Sequence, residues 1–110
     1  MHAVSEGRIR INDRVIDTYG RAVLEADTAL HVIAGTSGYT GSGRREKGGR
    51  TYARIECFCG DFFFDLVRDE DGNAVGVEIA CCGDDALEAI AKALGFVKQV
   101  IDEERFDLDS

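Results

Sequence analysis

One histidine and three carboxylates, His31, Glu56, Asp65 and Glu78, are the residues of this 110-residue chain that come nearest to a reactive set. Oxygen donors of that kind suit a hard cation such as magnesium, calcium or manganese. A histidine beside a carboxylate is also the least that proton transfer requires. No complete catalytic motif accompanies them, so a small-ligand or metal-dependent enzyme built on these four residues is an alternative reading, and a non-enzymatic role is favoured.

Four cysteines sit in "ECFCG" and "IACCG". A structural zinc site wants four convergent ligands, with two or more residues between the members of a pair. C-x-C and C-C do not match that spacing. The thiols are expected to be reduced and inert, with Cys57, Cys59 and Cys81 in the core and Cys82 turned away, and no cofactor is expected.

The third chemical feature is "GTSGYTGSGRREKGGR", Gly35 to Arg50, which holds six of the thirteen glycines. Its G-x4-G spacing imitates a P-loop, yet Arg44 and Arg45 stand where Lys and Ser or Thr are required, and a strand follows instead of a phosphate-capping helix. Residues 36–50 read instead as a flexible, glycine-rich basic loop. Arg44, Arg45, Lys47 and Arg50 against Glu46 give it a local charge of +3, which leaves −11 on the rest of a chain whose total is −8. Such a loop is suited to local anion or nucleic-acid binding, or to docking on an acidic face of a second copy.

The elements that must position these residues follow from periodicity. Leu87, Ile90, Ala91, Leu94, Val97 and Ile101 recur at helical spacing, and Asp85 with Glu88 reads as a capping box, so a core-packing helix is expected at the carboxyl end. Val15, Ile16, Tyr19, Ala22 and Val23 suggest a second helix near the amino end. Between them the chain reads as four antiparallel strands, about 28–35, 51–59, 62–68 and 74–82. Gly60-Asp61 and Asp71-Gly72 are the expected two-residue turns.

Those turns fix a register in which paired residues sum to 121 across the first hairpin and 143 across the second. One face then carries Cys59, Phe62 and Cys81; Cys57, Phe64 and Ile79; Ile55, Leu66 and Val77; Ala53, Arg68 and Val75. Eleven of these twelve are apolar, as a sheet packed on helices requires. The opposite face carries Tyr52, Arg54, Glu56, Phe58, Phe63, Asp65, Val67 and Glu78. Here Glu56, Asp65 and Glu78 form one acidic row, and Leu30, Val32 and Ala34 facing the core bring His31 towards Glu56.

The expected fold is α+β: a four-stranded antiparallel meander with an amino-terminal and a carboxyl-terminal helix on one face, in the order α-β-β-β-β-α. If Arg8 to Ile11 is a strand, the order β-α-β-β-β-β-α resembles TATA-binding-protein-like, helix-grip domains in element order alone. That resemblance rests on no motif residues and carries no function.

At 12.0 kDa the chain fits a single domain, residues 1–110, with 105–110 an acidic tail. Its charge and pI near 4.6 argue against nonspecific nucleic-acid or anionic-membrane binding. Neither a signal peptide nor a bilayer-spanning run is visible, so a cytoplasmic protein is expected. The favoured function is a small binding or assembly module, a homo-oligomer or a binder of a protein partner, that uses its uncovered sheet face and basic loop.

Overall fold

The computed structural model describes residues 4–38 and 49–105. Arg44, Arg45 and Lys47 of the basic loop and residues 106–110 of the acidic tail lie outside them. The chain is α+β, with strands β1 (Val4–Ile11), β2 (Arg14–Glu25), β3 (Thr28–Thr36), β4 (Thr51–Cys59), β5 (Phe62–Arg68) and β6 (Ala74–Cys81), and one helix, α1 (Asp84–Glu104). β1 to β4 form an antiparallel sheet in sequence order, while β5 and β6 form a separate two-stranded sheet. Among the described residues no helix is long and apolar enough to cross a membrane.

The expected amino-terminal helix is absent: β1 and β2 occupy that stretch as a hairpin, with Ile11 facing Arg14. Neither the α-β-β-β-β-α order nor the helix-grip order therefore holds. The cause lies in β2, which buries Ile16, Thr18 and Gly20 from one face and Val23 from the other. Side chains of one strand alternate between faces, and burial on both imitates a helical period at Val15, Ile16, Tyr19, Ala22 and Val23. The turn that starts β3 gives no sequence signal either. Glu25 faces Thr28 across Ala26-Asp27, and Ala26 is left-handed at φ 50°. A residue with a Cβ adopts that conformation at a cost of about 1–2 kcal/mol.

The core lies between the sheet and α1. Leu30, Val32 and Ala34 of β3, each 1% exposed or less, meet Ala89, Ala93, Phe96 and Val100 of the helix. Alanines on the packed side let the helix axis approach the sheet closely, and Phe96 fills the wider end. This buried stripe is not the one that larger side chains suggest. Leu94 is 53% exposed and Leu87 also faces solvent, so the helix carries a second apolar stripe outside the core. Its N-cap is Gly83, without a side-chain capping bond, and Asp84 and Asp85 lie in the first turn where the helix dipole favours acids. Asp85 is thus not the cap.

The β5–β6 register sums to 143 from Phe62↔Cys81 to Val67↔Gly76, as expected. A bulge after Val67 then sets Arg68 opposite Ala74, not Val75. In place of a two-residue turn, Asp69 closes a wider one: its Oδ1 accepts the N–H groups of Asp71 and Asn73, and Gly72 takes φ 88°. The expected β4–β5 ladder, with sums of 121, is not formed, so β3 to β6 do not make one continuous meander.

Candidate assembly surface

β4 has two faces and one free edge. On the outer face, His31 of β3 lies opposite Glu56 in register, with Nδ1 3.8 Å from Glu56 Oε1 and its ring 6.4 Å from that of Phe58. Arg54 Nη2 donates to Glu56 Oε2 at 2.6 Å. Its bonds to Tyr52, first, and to Glu56 hold the Arg54 pKa above the ordinary arginine value. This is a solvent-facing ion-pair network, which contributes little to stability.

Phe63, Asp65, Val67 and Glu78 belong to the other sheet. Asp65 faces Glu78 across the β5–β6 ladder, and Asp65 Oδ1 accepts the Leu66 N–H at 2.7 Å. Because β4 and β5 are unpaired, Glu56 is not the third member of that row: the eight expected face residues divide into two groups of four. Among the described residues no cluster of three or more His, Cys, Asp or Glu is placed to hold a metal ion.

Arg50, expected to belong to the basic loop's contact surface, is 16% exposed and turned inward. Its Nε donates to the Ile11 carbonyl at 3.3 Å and its Nη2 to Asp13 Oδ1 at 3.2 Å, tying the start of β4 to the β1–β2 turn. The cysteines also differ from expectation. Cys57 is half-buried, whereas Cys59, Cys81 and Cys82 are exposed free thiols.

A concavity lies on the helix side of β4. It is a groove of about 670 Å³ between Ala53 and Ile55 of β4, Phe64 and Leu66 of β5, Val77 and Ile79 of β6, and Leu94 of α1, with Arg54, Asp65 and Glu78 at its rim. Six of these seven apolar residues are on the sheet face that sequence reasoning assigns to the core. Ile55, Cys57 and Phe62 do pack against the core cluster. Farther along the hairpin the face is bare: Ile79 is 38% exposed, Val77 72%, and Phe64, Leu66 and Val75 lie between. Phe62 and Phe64 stack on one another on this face, with ring centroids 5.8 Å apart.

In comparisons with known families, curated proteins and solved structures, nothing matches this chain. What the surface does must therefore be argued from its own geometry.

What sequence reasoning missed is that the expected core face is divided: Ile55, Cys57 and Phe62 pack against the core, and the rest of its β5–β6 part stays exposed. A signal was present. A helix with two apolar stripes and only one meander to cover them has a stripe to spare.

Proposed function

We propose that this chain is a self-associating binding module whose assembly surface is the apolar groove between β4, the β5–β6 hairpin and Leu94. The observation that carries this reading is the bare face of Phe64, Leu66, Val75, Val77 and Ile79, composed like a core strand pair yet left open to water. A contiguous exposed apolar patch rimmed by polar groups, here Arg54, Asp65 and Glu78, marks an interaction site.

Magnitudes fit a concentration-dependent assembly. Burying the exposed part of five such side chains on each of two protomers contributes on the order of 10 kcal/mol. Lost translational and rotational freedom costs about 4–15 kcal/mol. The two are comparable, so removal of one apolar side chain should be felt.

The reading moves the contact from the outer face, with Tyr52, Arg54, Glu56 and Phe58, to the helix side. The basic segment with Arg44, Arg45 and Lys47 keeps a secondary proposed part, as a salt-sensitive arm that would bind acidic groups of a second copy. The test compares Val77→Asp with Val15→Asp, a control at an exposed apolar position of β2 outside the groove. The first should lower the solution mass and the second should not. Equal masses for the two variants would remove the groove from the account.

A further inference from the structure

We infer that two copies of this chain exchange their β5–β6 hairpins, each β5 pairing with the free edge of the other copy's β4. The inference rests on the self-association proposed above and specifies its geometry. It begins at the ends of two ladders. Cys59 is still paired with Ala29 at the end of β4, and the Cys82 N–H donates to the Asp61 carbonyl at 3.2 Å, which extends the β5–β6 ladder by one residue. Only Gly60 remains between them. The tightest common reversal between adjacent antiparallel strands takes two residues. A two-residue return of β5 onto its own β4 would need Gly60 and Asp61 as its turn, and in the structure β4 and β5 are not paired across them.

Gly60 suits a pivot instead. It has φ 136°, where a side chain would be strained, and a Cβ there would lie 3.1 Å from the Thr28 methyl carbon. About this pivot stand two unpaired strand edges, those of β4 and β5. Open edges of that kind are templates for pairing with another chain.

Set antiparallel about a two-fold axis through the Gly60-Asp61 link, residues of one copy face residues of the other that sum with them to 121. Ile55 then meets Leu66, Cys57 meets Phe64 and Cys59 meets Phe62. The apolar segregation that a closed meander would provide is thereby recovered between chains, without a tight turn. Each copy gives one hairpin and receives one, so the assembly closes at two.

Surface area points the same way. The chain exposes 7393 Å², whereas a compact monomer of this mass exposes about 6,000 Å². The hairpin, exposed at every strand residue but Phe62, contributes to that excess. A standard interface removes about 800 Å² from each partner.

The test has two arms. Protomers labelled with carbon-13 and nitrogen-15 are co-refolded with unlabelled ones, and isotope-filtered nuclear Overhauser contacts are sought between Ile55 and Leu66 of unlike chains. They are expected. In the second arm, Gly-Asn-Gly is inserted after Gly60, long enough for β5 to reverse onto its own β4. Dimerisation should then weaken at least tenfold, with Ile55–Leu66 contacts arising within one chain. A native dimer without the inter-chain contact, or a lengthened chain that dimerises as tightly as the native one, overturns the exchange and leaves self-association standing. A native chain of single mass at every concentration overturns both.

Discussion

Asp61 accepts the backbone N–H of Cys82 at 3.2 Å, and this bond decides where the β5–β6 hairpin begins. With Asp61 inside the hairpin ladder and Cys59 inside the main sheet, Gly60 alone connects two sheets that the chain's spacing suggests are one. The bare apolar face follows from that break. So does the proposed role, since an exposed apolar patch rimmed by polar groups marks an interaction site.

The two apolar stripes of α1 should respond differently to truncation. Phe96→Ala, in the buried stripe, is expected to cost about 3–5 kcal/mol of unfolding free energy. Leu94→Ala should cost well under about 1 kcal/mol in the isolated protomer and weaken association instead. Denaturant unfolding at low protein concentration separates the two effects.

Ala26 holds a left-handed conformation that glycine adopts without strain. Ala26→Gly is expected to stabilise the fold by roughly 0.5–1 kcal/mol, the relief of strain being partly offset by the larger unfolded-state entropy of glycine. Thermal unfolding of the variant beside the native chain measures it.

Arg50 ties the start of β4 to the β1–β2 turn through Ile11 and Asp13. Arg50→Ala should cost about 1–2 kcal/mol, the scale of hydrogen bonds to a charged group that is partly screened. Amide exchange at Ile11 to Arg14 should quicken in the variant, whereas exchange in β6 should not.

Lys92 pairs with Glu25, and that bond raises the lysine pKa above its ordinary 10.5. A cation whose folded pKa is raised contributes stability that is complete below its unfolded value and lost as pH rises through the folded one. The destabilisation caused by Glu25→Gln should therefore be level between pH 6 and pH 9 and shrink only in the alkaline range. Unfolding midpoints across that range test it.

Much of this fold is legible in the residues, and the exceptions have identifiable causes. Alternation places Leu30, Val32 and Ala34 in the core, and the β5–β6 register follows from a single turn region, because a period of two with strong apolar contrast leaves little freedom. The approach of His31 to Glu56 follows from that alternation. β2 is hidden because its burial switches faces, and its turn into β3 is hidden because alanine takes a position that glycine or asparagine would have advertised. In α1 the large side chains Leu87 and Leu94 dominate the pattern, yet close packing on β3 selects Ala89 and Ala93. The division between β4 and β5 is the least legible, since Gly60-Asp61 has the composition of a tight turn and yet the two strands are not paired across it.

Sedimentation equilibrium of the native chain, from about 1 µM to about 1 mM, the range in which weak to moderate association is read, tests the central claim most directly. The account predicts a mass that rises with concentration to twice the 12.0 kDa of one chain, and that stays at one chain for Val77→Asp. A native chain that holds a single-chain mass throughout would contradict it.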